Sequence, residues 1–114
     1  MTVTIPMRLP SVANLREHWA VKAKRSAAQR GAARLACNGV RPAFPVTIKL
    51  VRVSPRPLDD DNLRSAFKAI RDGVTDAVGL KDDRDPRLSW EYEQRRGRPK
   101  EHAVLVEFLA HPLT

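Results

Sequence analysis

The chain has 114 residues, a length that fits one domain and leaves only a modest folding margin, so a dimer is an expected assembly. It carries 21 Lys and Arg against 13 Asp and Glu, a net charge of +8 with a pI near 10.6, which points to nucleic acid or another polyanion as partner. A single cysteine, Cys37, excludes an internal disulfide and fits a reducing cytoplasm, and no apolar stretch is long enough for a signal peptide or a membrane span.

Residues 2–9 alternate, with Val3, Ile5, Met7 and Leu9 on one side, which predicts a half-buried strand. Pro6 has no N–H to give to a ladder, so that strand is expected at an edge or with an irregularity. Pro10-Ser11 ends it, and Ser11 or Asn14 is positioned to cap a helix running to about Cys37. The helix has a thin apolar stripe and a strong basic bias: Arg16, Lys22, Lys24, Arg25, Arg30 and Arg34 face only Glu17. Such one-sidedness suits contacts to phosphates more than an ordinary solvated face. Asn38-Gly39 supplies a stop.

Residues 45–53 read as a second strand with Val46, Ile48 and Leu50 inward, broken by Ser54-Pro55-Arg56-Pro57. From Leu63 to Val78 the apolar residues Leu63, Ala66, Phe67, Ile70, Val74, Ala77 and Val78 recur at helical spacing, predicting one amphipathic helix. Asp60 or Asp61 is placed to cap it and Gly79 to end it, while Gly73 should weaken its interior by about 1 kcal/mol. Residues 87–94 alternate again, Arg95-Arg96-Gly97-Arg98-Pro99-Lys100 forms a basic turn, and residues 102–109 form a more continuously apolar strand, expected to be central or covered on both faces. The short link between these two strands suggests a hairpin. The expected fold is α/β: a single domain with a mixed four-stranded sheet and two main helices in the order β-α-β-α-β-β.

The charge is not evenly spread. All eight aspartates lie between Asp59 and Asp85, and the window from Leu58 to Asp85 holds eight acids against five bases, a net −3. The remainder of the chain holds sixteen bases against five acids, a net +11. An aspartate before a helix is ordinarily a cap, and Asp82-Asp83 before a strand is ordinarily a turn. Two acidic runs in a chain with no other aspartate favour a metal site. Asp59 and Asp61, two apart in extended backbone, would face the same way and share a hard divalent ion such as Mg²⁺ or Mn²⁺. A third carboxylate would come from Asp82, Asp83 or Asp85, within the chain or from a second subunit. Asp61, Ser65, Lys68 and Asp72 fall on one helical face, so Lys68 could lean back towards the first run. Such a centre suits phosphodiester hydrolysis.

Asp59-Asp60-Asp61-Asn62-Leu63, followed by Gly79-Leu80-Lys81-Asp82-Asp83, resembles the RusA family of Holliday junction resolvases of bacteria and prophages. Leu9-Pro10-Ser11-Val12-Ala13-Asn14, with Arg16 and Trp19, is similar to the opening segment of that family. The resemblance implies a RusA-like fold and a homodimeric, Mg²⁺-dependent endonuclease that cuts four-way DNA junctions by paired nicks, with no organic cofactor and no membrane. It makes Asp59, Asp61 and Asp83 the catalytic metal ligands. The family has a lysine where this chain has Ser65, and Lys68, on the same face, is the expected replacement. Arg16, Lys22, Lys24, Arg25 and Arg30 of the first helix, with Arg95, Arg96, Arg98 and Lys100 of the basic turn, are the expected DNA contacts, made largely to backbone. The rival readings are a non-catalytic basic DNA-binding module, a metal-dependent nuclease for other branched DNA or RNA, and a toxin-like RNA-binding protein.

Overall fold

The computed structural model describes residues 1–11 and 18–110; residues 12–17 and 111–114, with Asn14, Arg16 and His111 among them, lie outside the described residues. The first strand, β1 (Thr2–Ile5), is shorter than its alternation suggests. The Met7 N–H turns back to the Ile5 carbonyl at 2.9 Å, and Pro6 has no donor, so pairing stops there. Helix α1 (Trp19–Ala36) starts later than the Ser11 or Asn14 cap implies. His18 occupies the cap position, and its Nδ1 accepts the Ala20 N–H at 3.2 Å. Gly39, at φ 89°, takes the left-handed conformation just beyond the helix.

Strand β2 (Val46–Ser54) is the middle of the domain. It pairs in parallel with β3 (Leu88–Arg96) from Val46↔Leu88 to Ser54↔Arg96, and antiparallel with β4 (Ala103–Ala110). Because β1 pairs only with β4, the mixed sheet has the order β1-β4-β2-β3, with β1 at an edge and β4 internal as expected. The predicted hairpin between the last two strands does not form. Strand β2 separates them, pairing with β3 along one edge and with β4 along the other, and its Ile48 and Leu50 are fully buried as in a central strand.

The expected single helix over 63–78 is two helices, α2 (Asp60–Ala66) and α3 (Lys68–Ala77), so three helices pack with the sheet rather than two. At the junction the fully buried Phe67 sends its N–H to the Arg64 carbonyl at 3.2 Å, a three-residue bond that tightens the turn. The Phe67 ring packs 5.9 Å from that of Tyr92. Helix α3 ends as predicted at Gly79, φ 84°: the Gly79 N–H reaches the Asp76 carbonyl and the Leu80 N–H the Thr75 carbonyl, both at 3.1 Å, a Schellman closure.

One hydrophobic core unites Leu63, Phe67, Ile70 and Val74 of the helices with Ile48, Leu50, Val104 and Val106 of the sheet, and Ala33 and Cys37 close it from α1. The other side of the sheet is charged: Lys49 lies 3.6 Å from Glu93 and 3.8 Å from Glu107. No helix among the described residues is long and apolar enough to cross a membrane.

Candidate functional site

The proline-rich loop delivers the chain to the first acidic run under restraint. The Gln94 side-chain amide clasps Leu58 in both directions, accepting its N–H and donating to its carbonyl, each at 2.7 Å. Arg52, buried in β2, donates to the Arg56 carbonyl at 2.7 Å and to the Leu9 carbonyl at 2.8 Å. The loop in front of Asp59 is thereby fixed to two strands. Neither Gln94 nor Arg52 stood out in the sequence; a polar side chain on the inward side of an otherwise apolar strand was the available signal.

Asp59, not Asp60 or Asp61, occupies the cap position of α2, and its side chain makes no capping hydrogen bond. Asp60 and Asp61 already belong to the first helical turn, so the period-two reason for pairing Asp59 with Asp61 does not hold. All three carboxylates are exposed, and among the described residues none has an ion-pair or hydrogen-bond partner. Every other aspartate has one. The positive end of the helix dipole favours their charge, but no cation of the described chain answers it.

The second run divides its labour. Asp82 accepts the Arg84 N–H at 2.9 Å and forms a local turn. Asp85 is gripped by Arg87, which holds its carboxyl well below the usual range, at about 2. Only Asp83 turns inward. It is 7% exposed, with Lys68 Nζ at 3.1 Å and Arg71 Nη2 at 2.9 Å, and its backbone carbonyl accepts the Trp90 indole N–H at 2.7 Å. Arg71 in turn donates to the Tyr92 hydroxyl and lies 4.9 Å over the Trp90 ring. Nothing in the sequence singles out Arg71, Trp90 or Tyr92 beyond the helical and alternating patterns in which they sit.

Lys68 is near a predicted carboxylate, but not in the predicted manner. It does not lean back to the first run; its partners are Asp83 and Asp72, both at 3.1 Å. Burial pulls the Lys68 pKa down, but the hydrogen bonds that its ammonium donates to Asp83 and Asp72 outweigh it and leave the pKa above the ordinary 10.5. These residues, with Arg30, Arg71 and Asp76, line a cleft of about 600 Å³. Among the described residues there is no group of three His, Cys, Asp or Glu side chains that could hold a metal ion, so the single chain does not gather Asp59, Asp61 and Asp83.

The basic residues separate into committed and available ones. Arg30 pairs with Asp76 at 2.7 Å, and Arg95 with Glu93 at 2.6 Å and Glu107 at 3.1 Å, although both guanidiniums remain about half exposed. Lys22, Lys24, Arg96, Arg98 and Lys100 are exposed and have no carboxylate partner among the described residues. Lys22, Arg25, Arg64 and Lys68 line a second cleft, of about 680 Å³, between α1 and the α2–α3 pair. No protein-family model matches the chain, and no curated protein matches it.

Proposed function

We propose that this chain is a metal-dependent endonuclease of the RusA type, acting as a homodimer on branched DNA and on four-way junctions above all. The observation that carries this reading is the isolation of Asp59, Asp60 and Asp61. In a protein of net charge +8, three adjacent carboxylates stand at a restrained loop-to-helix junction with no cation of the described chain beside them and no capping role. Carboxylate oxygens are the donors that hard divalent ions require, so the residues present fit Mg²⁺, with Mn²⁺ as a substitute.

Asp59 and Asp61 would hold the ion, with Asp83 of the partner subunit as the third ligand, because the three do not gather within one chain. A bound Mg²⁺ would supply charge neutralisation at the phosphate and acidify a water. Lys68 keeps a protonated ammonium beside Asp83, suited to a phosphate oxygen. The clasp of Gln94 on Leu58 keeps the first run oriented, so little ordering is needed when substrate arrives. The basic cleft between α1 and α2 receives the DNA backbone without reading sequence. A cytoplasmic setting agrees with the lone buried thiol and with a DNA substrate.

The test is cleavage of a synthetic four-way junction in Mg²⁺ and in EDTA. Paired nicks are expected only with Mg²⁺, and Asp61→Asn is expected to bind the junction as well as the parent while cutting nothing. An Asp61→Asn protein that cuts at the parental rate sinks the proposal. Absence of any divalent-dependent nicking leaves a DNA-binding module, and preference for flap or RNA substrates leaves a different nuclease.

A further inference from the structure

Among the described residues Arg52 is the most deeply buried charge outside the Asp83 cluster. It is 6% exposed, and its hydrogen bonds go to two backbone carbonyls, of Leu9 and Arg56. No carboxylate of the described residues pairs with it, and burial together with the like charge of Arg8 lowers its pKa. Burying a guanidinium without a counter-charge is costly, and an anion arriving in the adjoining cleft would offset that cost.

The surroundings of Arg52 are built for an anion. A cleft of about 240 Å³ is lined by Arg52, Ser54, Pro57, Gln94, Arg95 and Arg96. In the parallel register Arg52 lies beside Gln94 and Ser54 beside Arg96, so these four share one side of the sheet. Arg96 is exposed with no ion-pair partner among the described residues, whereas Arg95 points to the opposite side and is held by its glutamates. The Ser54 hydroxyl, on a residue 6% exposed, lies 3.3 Å from His102 Nδ1. The cleft stands at the carboxyl ends of two parallel strands, where open α/β sheets place their ligands. Pro57 brings it within two residues of Asp59.

We propose that this cleft is a phosphate site: Arg52 and Arg96, with the Ser54 hydroxyl, take one phosphodiester of a DNA strand beside the Asp59–Asp61 run. The proposal rests on the nuclease reading for the identity of the strand, and it adds a fixed docking point for the backbone next to the carboxylates. The phosphate supplies the negative charge that Arg52 lacks, and its bonds to guanidinium are charge-assisted and geometrically matched.

The experiment uses the metal-free full chain and two probes, thymidylyl-thymidine and its uncharged methylphosphonate analogue, followed by heteronuclear NMR. The phosphodiester is expected to shift the Arg52 Nε–H and the Gln94 side-chain amide signals, and the methylphosphonate is not. Arg96→Gln, on the exposed rim, is expected to abolish those shifts and to lower the slope of log affinity for junction DNA against log salt by about 0.9, the value of one phosphate contact. Arg41→Gln, an exposed change away from the cleft, is expected to leave both readouts as they are. Equal shifts from both probes, no shift from either, or an unchanged salt slope in Arg96→Gln overturns the site. A chain that binds the dinucleotide here but never nicks DNA keeps the site and loses the nuclease reading; one that nicks without any response in the cleft loses the site alone.

Discussion

Lys68 Nζ stands 3.1 Å from Asp83 Oδ2, and this pair ties the first turn of α3 to the loop that precedes β3. The lysine end is 62% exposed and the aspartate end 7%, so the two partners have unequal stakes. Asp83→Ala leaves Arg71, already carrying a buried Nε without a partner, with no countercharge. That change is expected to cost about 2 kcal/mol in urea unfolding and to abolish Mg²⁺-dependent nicking. Lys68→Ala removes a largely solvated charge and is expected to change stability by less than about 1 kcal/mol while cutting the nicking rate roughly a hundredfold. Equal losses of stability in the two variants, or full nicking activity in either, would contradict this assignment of roles.

The composition of the site was more legible than its geometry. The concentration of every aspartate between Asp59 and Asp85 is visible in the sequence and marks both runs. Which member of the second run faces inward was not: Asp82 and Asp85 each have a basic residue two positions on, Arg84 and Arg87, and use it in a local turn. Asp83 has no such local partner and turns to Lys68 and Arg71. Nor could spacing show that α2 begins at Asp60, which changes the directions of the first three carboxylates.

Arg30 and Asp76 bridge α1 and α3 through two hydrogen bonds of 2.7 and 3.0 Å. The Arg30 hydrogen bond and charge hold the Asp76 carboxyl below its ordinary value of 3.8. A depressed carboxylate stabilises the folded state above its unfolded pKa and loses that contribution as pH falls through the folded pKa. The stability difference between the parent and Asp76→Asn should therefore be constant above about pH 5 and shrink below pH 4. Urea unfolding at pH 7, 4 and 3 reads it, and a difference that grows towards acid would reverse the sign of the coupling.

The strands were legible one by one, and their order was not. Alternation located β1, β2 and β3, and the unbroken apolar run located β4, because those patterns report which faces are buried. Pairing depends on contacts far apart in sequence. The hairpin expectation used the short link after Arg96 and missed that β2 pairs along both of its edges and so lies between the two strands. The break at Phe67 has no glycine or proline to announce it; it comes from seating a fully buried ring beside Tyr92.

Cys37 closes α1 against the core with no exposed surface, and burial pushes its thiol up to about 11. At pH 8 almost none of it is thiolate, and none of it is reachable. The native chain is expected to leave Ellman's reagent unreacted over an hour and to release one equivalent of chromophore promptly in urea. Prompt labelling of the native protein would show that α1 opens from the sheet far more readily than this packing allows.

Gly73 offers a choice between two opposite expectations. As a glycine inside a helix it should cost about 1 kcal/mol relative to alanine, so Gly73→Ala should stabilise the chain. In the structure Gly73 is buried where α3 meets α1, and a Cβ there would come within 2.3 Å of the Arg30 carbonyl oxygen and 2.8 Å of the Ala33 Cβ. The first neighbour is backbone and cannot rotate away, so the two helices would have to separate, weakening the Arg30–Asp76 bridge. Overpacking of this kind costs about 1–3 kcal/mol and outweighs the gain in helix propensity. Gly73→Ala is expected to lower stability by about 1–2 kcal/mol, whereas Gly31→Ala, with open space around its Cβ, should raise it by up to about 1 kcal/mol. Thermal unfolding of the two variants beside the parent decides the matter: two stabilised proteins would mean that α1 and α3 lie further apart than their contact at Gly73 requires.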